Sequence, residues 1–281
     1  MTNTHFKHSG RKKERKDRCS PLLKMKPFPA LSPVRFFKDF FNTFQLKEHT
    51  LSLVLIASTL LFIVLCWVAV YLVDVVNIGG VSSERGLWWH LFRNRGPVEW
   101  VQWIFLAYIS LSAAAFFGMY RERGGCRREE IFWILAAIAF ILMLIEDAGD
   151  PRHLLAEHAG VLLGMNRTLA EGIVFFLIVL PLLYAVLVHW REAFAVAQVR
   201  LYFVAGGTLY ALAAVASLFR EERGFYPLIG DRLSQTFTGG SIPGFFLMDF
   251  VIEESIELMA ASFIAAGIII YWKRCAKAET C

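Results

Sequence analysis

Residues 246–272 read F-L-M-D-F-V-I-E-E-S-I-E-L-M-A-A-S-F-I-A-A-G-I-I-I-Y-W, and this run decides the fold. It is apolar over more than the roughly 20 residues that a helix needs to cross a bilayer, and Tyr271, Trp272, Lys273 and Arg274 mark its boundary with water. Three glutamates nevertheless sit inside it, at Glu253, Glu254 and Glu257. Counting back from Trp272 at about 1.5 Å per residue puts Glu257 roughly 22 Å from that boundary, within a hydrocarbon core about 30 Å thick. A charge at that depth needs a partner, water or an ion, so it marks a functional site.

The rest of the chain has the same character. It is 57% hydrophobic and 15% aromatic over 281 residues, with a mean hydropathy of +0.51. Several runs are long enough to span a membrane and lack the period-2 alternation of a transmembrane barrel, so an all-α integral membrane protein is expected. The net charge of +5 does not imply nucleic acid, because the basic residues gather in the first fifty positions and in short loops, as topology requires. Cys66 falls mid-membrane, and Cys19, Cys126, Cys275 and Cys281 fall in segments expected in the cytoplasm; no disulfide framework or C-x-x-C metal spacing is visible.

Residues 1–48 carry R-K-K-E-R-K-D-R (Arg11 to Arg18) and four prolines, and read as a basic, mostly disordered cytoplasmic tail without a removable signal peptide. Residues 49–273 then form a six-helix transmembrane domain, followed by a short cytoplasmic tail at 274–281. The six spans are Leu51–Val75, Val98–Tyr120, Glu130–Gly149, Leu169–His189, Val199–Phe219 and Phe246–Trp272. The basic tail, the loop R-E-R-G-G-C-R-R (Arg121 to Arg128) and Lys273, Arg274 and Lys277 place both termini in the cytoplasm. Short loops and the absence of sorting signals suggest a bacterial inner membrane.

Three outer segments carry further expectations. L-W-W-H-L-F (Leu87 to Phe92) reads as an aromatic anchor in the interface, with His90 on the surface. Pro151 ends the third span and, with Asp150 as N-cap, opens a short extracytoplasmic helix from Pro151 to Leu163 between spans 3 and 4. The last outer loop, Arg220 to Phe245, is rich in glycine and proline and reads as an ordered but bendable flap over the bundle mouth.

Acidic residues collect in the outer third of four spans: Glu99, then Glu146, Asp147 and Asp150, then Glu171, then Asp249, Glu253, Glu254 and Glu257. Glu146 lies about 24 Å above the inner boundary, close to the level of Glu257. Glu146 and Asp150 share one helical face, as do Glu253 and Glu257, and like charges at that spacing are tolerated only with a bridging proton, cation or base. Arg152 and Arg167 stand at the rim as counter-ions. Helix-end roles compete for some of these residues: dipole complementarity for Glu99, capping for Asp150, and a T-L-A-E capping box for Glu171.

Three readings follow. The first is a cation or proton site used for transport or sensing, with the carboxylates as oxygen ligands. The second is a metal-dependent hydrolase or transferase acting on a lipid or lipid-linked substrate at the outer leaflet. A divalent cation held by Glu146, Asp150, His153 and Glu253 would activate water, and Glu257 or Glu254 would be the general base. The third is a scaffold or complex subunit in which carboxylates and arginines pair. The lipid bilayer is the partner common to all three, and the first two add a cation or a lipid-linked substrate.

Overall fold

The computed structural model describes residues 46–279 apart from 79, 81–85, 94, 125–126, 150, 152–153, 156, 160–163, 165–166, 190–193, 195 and 219–224; the side chains of 46–48, 167–168, 225 and 277–279 also lie outside the description. The basic tail therefore falls outside the described residues, as does most of the expected helix over 151–163. Within the described part of that segment, His158 Nδ1 donates to the Leu154 carbonyl at 2.8 Å.

The described residues are almost wholly helical, and six helices are long and apolar enough to cross a membrane. The elements in chain order are α1 (Leu46–Val70) with a π turn (Tyr71–Val75), α2 (Gly86–Phe92), α3 (Pro97–Glu122), α4 (Arg127–Gly149), α5 (Arg167–Val188), α6 (Ala197–Leu218), α7 (Phe225–Thr238), α8 (Gly244–Phe246) with a π turn (Leu247–Ile252), and α9 (Glu253–Glu279). Each span matches its sequence expectation to within a few residues. Pro97 occupies the first turn of α3, where its missing N–H costs nothing.

The run that carries the glutamates is the hub. The α8–α9 span is 61% buried within the protein, against 6% for α5, so one is the axis and the other lies at the periphery. Small residues make this possible: Ala260, Ala261, Ala265 and Ala266 are fully buried and let α1, α3 and α6 pack on α9. Ser52 Oγ of α1 donates to the Ala266 carbonyl at 2.9 Å. Trp67 Nε1 donates to Ser255 Oγ at 3.1 Å. Gly206 brings α6 onto α9 so tightly that a Cβ there would meet Ala260 O at 2.8 Å.

The two ends of the bundle differ. At one end, which holds Tyr120 and Tyr271, aromatic rings fill the core. Phe116 sits 4.6 Å from Trp133 and 4.7 Å from Tyr271, and the Tyr120 and Tyr271 hydroxyls are 2.5 Å apart. The opposite end, where α3 and α9 begin and α4 ends, carries the carboxylates.

Two segments of that acidic end take definite form. L-W-W-H-L-F forms α2, in which Trp88 and Phe92 are buried within the protein; Trp88 stacks on Phe246 at 5.5 Å. The cause is Asp74 in the π turn, whose two carboxylate oxygens accept the Leu87 and Trp88 amides at 2.6 and 2.8 Å and fold α2 inward. His90 is exposed, as expected. In the glycine- and proline-rich loop the expected order takes the form of the 14-residue α7. Gly230 and Gly244 meet backbone to backbone, leaving no room for a Cβ on either, so these glycines lock α7 to α8.

Candidate functional site

A cavity of about 490 Å³ lies between α3, α4, α5, α6 and the α8–α9 span, reaching from the acidic end to the level of Leu182 and Ile264. Seven carboxylates line it: Glu99, Glu146, Asp147, Asp249, Glu253, Glu254 and Glu257. None of the described residues lining it is basic.

The centre of the acidic wall is Gln102. Its position on α3, five residues after Pro97, turns its amide toward both α4 and α9. Gln102 Nε2 donates to Asp147 Oδ2 at 2.8 Å and to Glu257 Oε2 at 3.0 Å. Asp147 is also within Coulombic range of Glu99 and Glu146, and Glu254 is within range of Glu257, Asp147, Glu99 and Glu253. Neighbouring carboxylates at this density repel one another unless protons or positive partners are shared among them.

Helix geometry places the remaining members. Glu99, in the first turn of α3, accepts the Arg95 amide at 2.5 Å through Oε2 while still lining the cavity, so its helix-end role and its site role coexist. The π turn widens the backbone before α9, with the Glu253 amide bonded back to the Met248 carbonyl. Asp249 thereby lines the same cavity as Glu253, Glu254 and Glu257. From above, Tyr226 of α7 donates to Glu253 Oε2 at 2.6 Å.

Buried polar atoms on this wall that find no hydrogen-bond partner among the described residues include Gln102 Oε1, the Tyr210 hydroxyl and Glu254 Oε2. Such groups cost stability unless something meets them.

The sequence-derived site is thus largely assembled, with changes in detail. Glu146 lines the cavity, but the residue joined to Glu257 through Gln102 is its neighbour Asp147. Glu171 is half-buried near the start of α5 and does not line the cavity. Asp150, Arg152 and His153 lie outside the described residues, as does the side chain of Arg167. Among the described residues no group of three or more His, Cys, Asp or Glu is arranged to hold a metal. Gln102, Tyr210 and Tyr226 were not anticipated. A glutamine five residues into a span was the one readable signal among them.

Comparison with models of known protein families, with curated proteins and with solved structures finds no match. The chemistry of the cavity must therefore carry the functional reading.

Away from the acidic wall the cavity is apolar. Phe175, Ile178, Val179 and Leu182 of α5 face Ala211, Ala214 and Val215 of α6 across it. Gly207 also lines it and has open space where a Cβ would be, unlike its neighbour Gly206. Below the cavity the ring-filled core of the opposite end closes the bundle.

Proposed function

We propose that this multi-pass membrane protein binds a cation, or protons, in the carboxylate chamber and acts as a binding or sensing device. The carrying observation is the Gln102 bridge between Asp147 and Glu257, set among seven carboxylates that line one cavity. An acidic cluster of this density inside a membrane is stabilised by a positive partner. In this reading the chamber faces the extracytoplasmic side, following the basic bias of the tail and the Arg121 to Arg128 loop.

A conducting path through the bundle is less well supported. The opposite half is packed with Phe116, Trp133 and Tyr271, and among the described residues no carboxylate lines the cavity's lower part around Leu182 and Ile264. The metal-dependent enzyme takes two of its four ligands, Asp150 and His153, from outside the described residues, and nothing specific favours it.

The test is thermal unfolding of the protein in lipid nanodiscs with Na⁺, Ca²⁺ or methylammonium added. A ligand that binds only the folded state stabilises it by about 2.7 kcal/mol at a hundred times its Kd. At least one cation should raise the unfolding temperature of the wild type and leave Glu257→Gln unmoved. Equal responses in both proteins, or none in either, would refute the reading.

A further inference from the structure

We propose that the ligand of this chamber is an amphiphile with a protonated primary amine and no phosphate, entering sideways from the lipid between α5 and α6. This deepens the cation-site reading above and rests on it.

Volume is the first argument. A water molecule occupies about 30 Å³ and drug-sized ligands fill sites of roughly 300–1,000 Å³. At about 490 Å³ the cavity is far larger than a bare ion requires and suits an organic molecule.

Its lining is divided in a way that matches an amphiphile. One wall is the acidic cluster around Gln102, and the other is the apolar pair of faces on α5 and α6. Gln102 itself is only 1% exposed, yet its Oε1 is unmet, as are the Tyr210 hydroxyl and Glu254 Oε2. An –NH₃⁺ group brings three donors and a positive charge to a wall of acceptors and carboxylates. A phosphate-bearing headgroup would bring a negative charge into the same cluster, which disfavours ordinary phospholipids.

The entry route follows from packing. α5 packs extensively on α4 and α6 on α9, but these two consecutive helices do not pack extensively on each other. Gly207, Ala211 and Val215, one turn apart on α6, are exposed and line the cavity at the same time. The opening is therefore at membrane depth, where an alkyl chain can remain in lipid while its amine reaches the acidic wall.

The experiment uses the full chain in phosphatidylcholine vesicles with a diazirine-bearing long-chain primary alkylamine, mapping photo-adducts by mass spectrometry. Adducts are expected on Ile178, Leu182 and Ala214, which line the cavity, with excess dodecylamine competing and dodecanol not. Labelling there should fall about tenfold or more in Glu254→Gln and in Glu257→Gln, the scale of one lost hydrogen bond between charged groups. Ala211→Phe, which narrows the opening without touching the acidic wall, should reduce it as well. Adducts confined to lipid-facing positions such as Leu177 and Leu187, or equal competition by dodecanol, would overturn the proposal. If methylammonium still stabilises the wild type but not Glu257→Gln while no inward labelling occurs, the amphiphile is wrong and the cation site stands; if neither effect is seen, both fall.

Discussion

Asp147 of α4 and Glu257 of α9 accept hydrogen bonds from the same amide nitrogen, Gln102 Nε2, at 2.8 and 3.0 Å. The consecutive helices α3 and α4 are thus tied at one atom to the sequence-distant α9, and two acids share one donor.

Replacing that amide separates its structural and electrostatic parts. Gln102→Leu leaves two carboxylates without their shared donor, at about 1–3 kcal/mol for each buried group left unmet. The unfolding temperature in nanodiscs should fall. Gln102→Glu should fall further, because it adds an acid to the cluster, and should be the variant more strongly rescued by an added cation. Wild-type stability in both variants would show that the bridge has no energetic role.

The neighbouring glycines of α6 offer a control within one helix turn. Gly206→Ala sets a Cβ against Ile264 and the Ala260 carbonyl, at 2.6 and 2.8 Å, and overpacking of this kind costs roughly 1–3 kcal/mol. Gly207→Ala has open space and should change stability by less than about 0.5 kcal/mol or improve it through helix propensity. Thermal unfolding of the two variants side by side gives the comparison; equal losses would contradict the packing of α6 on α9.

Asp74 is the clamp on α2. Asp74→Ala removes a side chain that accepts two backbone amides, a loss of about 1–2 kcal/mol. Hydrogen exchange should accelerate at the Leu87 and Trp88 amides, with cation stabilisation retained because Asp74 does not line the cavity. Unchanged exchange at these two amides would mean that the cap is not formed.

Tyr226 fastens α7 to the site. Leaving a buried hydrogen-bonding group unmet costs about 1–3 kcal/mol, so Tyr226→Phe should loosen α7 from Glu253 and speed proteolysis within residues 225–238. Cleavage at the wild-type rate would indicate that Gly230 and Gly244 alone hold α7 in place.

Much of this was legible in the sequence, and the remainder was hidden for identifiable reasons. Spans are set by long apolar runs, which leave little freedom, and all six were found to within a few residues. The acidic level came from counting helical rise, and Glu99, Glu146, Asp147, Asp249, Glu253, Glu254 and Glu257 do line one cavity. Rotation about each helix axis was harder to read. Adjacent residues point about 100° apart, so choosing Asp147 over Glu146 as the residue joined to Glu257 requires knowing how α4 packs on α3. Gln102 and Tyr210 carry no charge and look like ordinary polar residues in a span until their neighbours are known. In the last loop, glycine was read as freedom to bend, whereas Gly230 and Gly244 serve close approach, a distinction made only by the partner backbone. The burial of Trp88 depended on Asp74, thirteen or more residues away from the amides it caps.

The most direct test asks whether α4 and α9 present these acids to each other. In a chain whose native cysteines are replaced by alanine, Asp147→Cys with Glu257→Cys should be bridged by a short bifunctional thiol reagent, with the linked peptides identified by mass spectrometry. Ile145→Cys with Glu257→Cys should not be bridged, since Ile145 is 53% exposed on the outside of α4. A link in the first pair and none in the second is the expected result. Linkage of the Ile145 pair with none between 147 and 257 would place the acids on different sides of the bundle and remove the chamber.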